Sequence, residues 1–208
     1  MQQLLLELAP PPAPTLGNFF PGRNGAALKA LREALADGER FVFLWGPGGS
    51  GKTHLLRAFS EAAGAANRDA EAADDVGRLG EAEQVALFDL CNRLRGSKGA
   101  LAASAEAPPA QLALRPDLRS RLASGIVLQL HPLSDADKAA ALSTHAAGRG
   151  MALDRDLIAY LLTHFDRDMG TQIALLDALD RYSLERKRAV TLPLLKDALR
   201  SLAEEARR

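Results

Sequence analysis

A chain of 208 residues with 47% hydrophobic and 25% charged residues can bury one or two compact cores. Its 26 lysines and arginines balance 26 aspartates and glutamates, which excludes a global attraction to nucleic acid or to an anionic membrane and leaves only local patches for polyanions. The lone Cys91 excludes an internal disulfide, and with no C-x-x-C pair or His/Cys cluster there is no ligand set for structural zinc; a reducing cytoplasm fits this usage.

The chain begins "MQQLLLELAPPPAPTLGNFFPGRN". Leu4, Leu5, Leu6 and Leu8 form a short apolar patch, and Pro10, Pro11, Pro12 and Pro14 prevent a helix that would fold it back. The run is too short to span a membrane, has no basic flank and leads into prolines rather than a small-residue cleavage site, so neither an anchor nor a signal peptide is expected. Next, "GAALKALREALADG" spaces Leu28, Leu31 and Leu35 along one helix face that ends at Gly38. In "RFVFLWG", Phe41, Val42, Phe43, Leu44 and Trp45 run without alternation, as in a strand buried on both faces of a parallel sheet. "GPGGSGKTHLLRAFSEAAGAA" is glycine-rich first and helical afterwards, with Leu55, Leu56 and Phe59 on one side, ending near Ala66.

"EAEQVALFDLCNRLRG" predicts an amphipathic helix presenting Val85, Leu87, Phe88, Leu90 and Leu94. The strand candidates around it, "DAEAADDV" and "GALAASAEAPP", are weakened by their alanines, whereas "GIVLQLHPL" is a convincing late strand. From Ser134 onward the pattern is helical only: "SDADKAAALSTHAAGRG", "DRDLIAYLLTHF", "MGTQIALLDALDRYSLERKR" and "TLPLLKDALRSLAEEARR". Ser134 with Asp137 forms a capping box, and Thr191 with Pro193 marks the last helix start. The organisation is therefore α/β, in three parts: an extended peptide with its proline leash (1–14), a phosphate-binding unit (15–132) and an all-helical unit (133–208).

"GPGGSGKT", comprising Gly46, Pro47, Gly48, Gly49, Ser50, Gly51, Lys52 and Thr53, satisfies G-x-x-x-x-G-K-[ST] between a predicted strand and a predicted helix. Its glycines let backbone N–H groups face phosphates, Lys52 adds charge at the outer phosphates, and Thr53 offers a hydroxyl to Mg²⁺. The ligand expected there is ATP or ADP. Asp74 and Asp75 are the acidic pair expected after a second core strand, Asp74 holding Mg²⁺ and the pair orienting water. "AEAADD" lacks the usual run of large apolar residues, so a solvated acidic turn stays open. Only residues 67–73 separate the phosphate-loop helix from Asp74, too few for another strand and helix, which takes about a dozen residues or more.

"NFFPGRN", "GPGGSGKT", "LFDLCNRL", "APPAQLALRPDLRSRL" and "HPLSDADK" together resemble the Hda family, the AAA+ regulatory inactivators of the bacterial replication initiator DnaA, across nearly the whole chain. The resemblance implies an AAA+ P-loop domain with a mostly parallel sheet, followed by a small helical lid. It implies that "QLLLEL" is similar to the Q-x-x-L-x-L peptide that seizes the DNA sliding clamp, with Gln3, Leu4, Leu6 and Leu8 as clamp-binding residues and the prolines keeping them extended. Arg121 in "DLRSRLASG" falls where the family has an arginine finger acting on nucleotide held by a neighbour; Arg119 and Arg121 as solvated charges near Asp117 is the alternative. Arg167 in "HFDRDMG" matches the lid arginine that reaches the nucleotide, or else pairs with Asp166 or Asp168.

Two departures stand out: the short stretch before Asp74 lacks room for the family's second strand, and "LAASAEA" replaces a bulky strand near Ser104 and Glu106, where a first sensor residue would lie. Nucleotide binding survives these departures more easily than hydrolysis does. The leading functional expectation is a cytoplasmic regulator of DNA replication that binds nucleotide and the clamp, meets DNA mainly through that clamp, and provokes hydrolysis of ATP on DnaA. Its own ATPase is weak at most, and self-association is left open. The alternative is an AAA+ ATPase acting on its own ATP, such as a helicase loader or initiator-like protein. A full initiator is disfavoured because the sequence ends after the lid without a DNA-reading helix-turn-helix. The basic "RYSLERKR" is read as a solvated helix end.

Overall fold

The computed structural model of the protein describes residues 12–36, 40–165 and 168–205. Two compact units emerge, Ala13–Pro132 and the part from Leu133 onward. The N-terminal peptide bearing Gln3 to Leu8, and Arg167, lie outside the described residues.

In the first unit, α1 (Gly25–Leu35) precedes β1 (Phe41–Trp45) and α2 (Lys52–Ala65). Then follow β2 (Ala70–Ala73), α3 (Glu81–Ser97), β3 (Ala100–Ala105), α4 (Pro116–Ala123) and β4 (Ile126–Gln129), with single 3₁₀ turns at Val76–Arg78 and Pro109–Gln111. The four strands are all parallel, in the order β2-β3-β1-β4. Helix α2 by itself makes the crossover from β1 to β2, so no further strand is needed between them, and β2 is left as one edge of the sheet.

Both alanine-rich candidates are strands. Every residue of β3 is buried, because β3 lies inside the sheet with helices on both faces. Ala100 and Ala102 join Val42, Leu44, Leu55, Leu56 and Phe59 on the α1/α2 face, while Leu101, Ala103 and Ala105 join Phe41, Phe43, Leu87, Cys91, Leu94 and Leu118 on the α3/α4 face. Low strand propensity is overridden here because what a strand measures is fit to a packed pleated surface, and the bulky β1 side chains beside it fill the layer. Helix α3 turns a narrower face inward than its composition implies: Leu87, Cys91 and Leu94 are buried, whereas Val85 is exposed.

The second unit holds α5 (Asp135–Gly148), α6 (Arg155–His164), α7 (Met169–Arg186) and α8 (Leu192–Glu205) around Leu142, Leu157, Leu161, Leu176, Leu179, Leu194 and Leu195. The start of α5 is capped as the sequence indicates, and α6 and α7 gain caps that the sequence reading does not include. Ser134 Oγ accepts from Asp137 N (3.1 Å) and Asp137 Oδ2 accepts from Ser134 N (3.2 Å). Asp154 caps α6, and Asp168 caps α7 by accepting from Thr171 N at 2.8 Å, so Asp168 serves a helix N-terminus. Asp177 of α7 binds His145 of α5 (2.7 Å) and Arg149 just past its end (3.2 Å). In the basic helix end, Arg188 pairs with Asp197 at 2.9 Å. Among the described residues no helix is long and apolar enough to cross a membrane.

Candidate nucleotide site

The loop Gly46–Thr53 leaves the C-terminal end of β1 and enters α2, and its path is set by two glycines with no room for a side chain. At Gly46 a Cβ would lie 2.3 Å from the Leu130 carbonyl oxygen, a backbone atom held in place because Leu130 N donates to Trp45 O. At Gly51, with φ +92°, a Cβ would meet the Phe19 ring at 2.8 Å. Phe19 belongs to "NFFPGRN", which therefore covers the start of α2; its ring also lies 5.5 Å from that of His54. The same segment is tied down by Asn24, which is buried and exchanges two 2.8 Å hydrogen bonds with the His131 backbone just after β4.

Within this frame the loop has the features that an anion site requires. Gly48 and Gly49 have open space around them, leaving their backbone accessible. Lys52 Nζ donates to the carbonyls of Gly46 (2.7 Å) and Pro47 (3.0 Å), so the ammonium is folded across the loop. Ser50 Oγ is buried with no hydrogen-bond partner, the kind of orphaned group that calls for a ligand. The residues present fit a nucleotide's phosphates on these observations.

Asp74 directly follows β2 and faces the loop helix: Thr53 Oγ1 donates to its Oδ2 at 2.6 Å. Its other oxygen accepts from Ser104 Oγ and from Asp75 N (3.0 Å), and Asp75 N is shared with Ser104 Oγ at 3.2 Å. Ser104 is fully buried in β3. Thr53, Asp74 and Ser104 thus form one polar chain, spanning the end of the sheet from α2 through β2 to β3. Asp75 does not join it through its carboxylate, which turns to Arg78 (2.9 Å), with Glu106 3.7 Å from the same guanidinium. Asp75 has φ +51°, a left-handed conformation uncommon outside glycine.

The sequence places a first sensor residue near Ser104 and Glu106; in the structure Ser104 bonds Asp74, whereas Glu106 lies 3.7 Å from Arg78. The available signal was a single hydroxyl in a strand of alanines and leucine. Phe19, Asn24 and the Leu130 carbonyl were not legible as parts of the site, since their contacts are long-range.

Arg121 lies in the last turn of α4, partly buried, with its guanidinium 5.8 Å from the centre of the Phe88 ring of α3. Asp117, the proposed neighbour of Arg119 and Arg121, instead binds Arg115 through both carboxylate oxygens (3.2 and 2.8 Å). That pairing, together with the Leu118 N–H, holds the Asp117 carboxyl below the usual carboxylate range. Among the described residues Arg121 has no carboxylate within ion-pair distance. Cys91 is buried on the inner face of α3, and burial pushes its thiol pKa up, so it has no place in chemistry at this site.

Residues 135–199 match the family described as Hda, lid domain. The fold is similar to that of AMPPCP-bound DnaA from Aquifex aeolicus, at 22% identity and a TM-score of 0.66, covering 85% of this chain and 70% of that one. It is similar to domain III of the Thermotoga maritima replication initiation protein DnaA, at 20% identity and a TM-score of 0.65, covering 92% and 97%. A RuvB from Thermotoga maritima shares the fold more distantly, at 17% identity, a TM-score of 0.59 and coverage of 93% and 72%. Residues 135–199 thus match the lid domain of Hda, and the chain shares its fold with DnaA and RuvB.

Proposed function

We propose that the chain is a regulator of replication that binds adenine nucleotide in its phosphate loop, attaches to the DNA-loaded sliding clamp through Gln3, Leu4, Leu6 and Leu8, and stimulates hydrolysis of ATP held by DnaA. The observation that carries this reading is the union of a Hda-type lid with a DnaA-like base whose loop has an orphaned buried hydroxyl and open backbone. Gly46 to Thr53 would hold the phosphates, with Thr53 and Asp74 holding Mg²⁺ and Arg167 reaching from the lid. The bound nucleotide and its metal would supply charge that orders the loop and lid.

Arg121 is the residue that acts outward. A guanidinium stays charged and grips phosphate oxygens with a fork, and here its neighbour is an aromatic face rather than a carboxylate, which leaves its donors available. Asp74 and Asp75 would serve the chain's own hydrolysis, but the Asp75 carboxylate is engaged by Arg78, which supports a slow intrinsic ATPase. Such a protein would work in the cytoplasm.

The deciding experiment measures ATP hydrolysis by DnaA with and without this protein and DNA-loaded clamp. Wild type should stimulate it, Arg121→Ala should lose about a thousandfold or more of that stimulation while still binding clamp and nucleotide, and Arg119→Ala should matter far less. Removing residues 1–8 should abolish the dependence on clamp. If wild type leaves DnaA unaffected while hydrolysing ATP alone, the protein is an ATPase in its own right.

A further inference from the structure

The phosphate loop is clamped at its two ends by different means. At Gly46 the clamp is sheet backbone, since a Cβ there would lie 2.3 Å from the Leu130 carbonyl oxygen and Leu130 N donates to Trp45 O. At Gly51 it is one side chain from outside the sheet: Cε2 of the Phe19 ring lies 2.8 Å from the place a Cβ would take. Between the two, Gly48 and Gly49 have open space where a side chain would be. We propose, on the reading of Gly46 to Thr53 as a nucleotide site, that Phe19 is a positioning residue for it: seated on Gly51, the ring keeps the loop in the form that receives phosphates, and it makes the segment ahead of α1 respond to occupancy of the loop.

Gly51 is the N-cap of α2 and has φ +92°, so this one residue aims the first N–H groups of the helix, which have no partner within it. Glycine is also the residue freest to leave such a conformation. The ring removes part of that freedom, because it lies against the backbone where any other residue would carry a side chain. A loop that populates its receptive form only in part binds more weakly by that fraction, so holding the form counts directly as affinity. Phe19 also packs against the α1/α2 core, which accounts for an apolar residue here; its contact with a left-handed glycine at a helix start is what gives it a part in the loop.

The segment that carries Phe19 is itself lightly held. Thr15 and Asn18 close a turn with two reciprocal bonds, Thr15 N donating to Asn18 Oδ1 at 2.8 Å and Asn18 N to Thr15 Oγ1 at 3.0 Å. His54, the residue after Thr53, donates from Nε2 to Thr15 O at 3.2 Å, and its ring lies 5.5 Å from that of Phe19. Arg32 Nη2 of α1 donates to Leu16 O at 2.9 Å. All four bonds are exposed, and exposed bonds of this kind open at low cost. The turn is thus joined to α2 through Gly51 and His54, and a ligand that favours the seated ring must by reciprocity stabilise the turn.

Calorimetry of the full-length protein with ADP and Mg²⁺ should find Phe19→Ala weaker than wild type by about tenfold, as when the receptive form falls to about a tenth of the population, and Phe19→Met, long enough to reach the same seat, within about threefold of wild type. Amide hydrogen exchange gives a signature that destabilisation alone would not. Saturating inorganic pyrophosphate, which has no base that could lie on the segment, should slow exchange at Thr15 and Asn18 by at least about threefold in wild type and leave it unchanged in Phe19→Ala. If ADP fails to bind wild type, the nucleotide reading of the loop falls and the proposal with it. If ADP binds Phe19→Ala as tightly as wild type, or if pyrophosphate does not slow Thr15 and Asn18 in wild type, the proposal is refuted while the nucleotide reading stands.

Discussion

Ser104→Ala tests the polar chain at the heart of the candidate site. The substitution is nearly free of side effects on the strand, because Ala102, Ala103 and Ala105 already occupy neighbouring positions of β3 in full burial. What it removes is one hydroxyl that donates to Asp74 Oδ1 and sits 3.2 Å from Asp75 N. Hydrogen bonds to a charged acceptor contribute about 1.5–3 kcal/mol, and complete burial of Ser104 keeps water from replacing the lost donor. The Asp75 N–H remains on the same carboxylate oxygen, which places the expected loss near the middle, about 2 kcal/mol. Trp45 is the single tryptophan and lies in β1, so its fluorescence reports unfolding of the α/β unit specifically. With a urea slope of about 2 kcal/mol/M, the midpoint should fall by about 1 M. In an Asp74→Ala background the same substitution should cost at least about 1 kcal/mol less, since the two residues share one interaction. A midpoint shift below about 0.2 M, or strict additivity of the two variants, would refute the claim that Ser104 holds Asp74.

Lys52→Ala should weaken ADP binding by tenfold or more in calorimetry without disturbing the Trp45 unfolding midpoint, because the ammonium bonds only loop carbonyls; equal binding would remove the phosphate-loop reading. Arg78→Gln should raise the chain's own ATP hydrolysis about fivefold, the factor that corresponds to releasing an exposed ion pair of about 1 kcal/mol from Asp75; an unchanged steady-state rate means the pair does not restrain that carboxylate. Cys91 should resist a thiol-specific disulfide reagent in the native protein and react once per chain in denaturant, since burial both blocks the sulfur and disfavours its thiolate; prompt native reaction would show that α3 opens readily.

The elements that depend on local pattern could be read from the chain itself. The uninterrupted apolar run Phe41 to Trp45, the spacing of "GPGGSGKT" between strand and helix, and the capping pair Ser134 and Asp137 each carry their own physical cause within a few residues. The change from α/β to purely helical pattern after His131 falls beside the division between the two compact units. Tertiary structure decided the rest. Ala100–Ala105 became a strand because neighbouring β1 and the helices on both faces supply the bulk that alanine lacks, and Ala70–Ala73 because it pairs with β3 at the sheet edge, properties of the layer that no window of sequence contains. The same holds for the site: Thr53, Asp74 and Ser104 are brought together only by the β2-β3-β1 order, and Asn24 meets His131 across 107 positions of sequence. Sequence specified which groups could bind phosphate and hold a metal, because that is a matter of residue type and short spacing. Only the fold determined which carboxylate faces Thr53 and which is held by Arg78, because the turn after an edge strand points adjacent side chains in different directions.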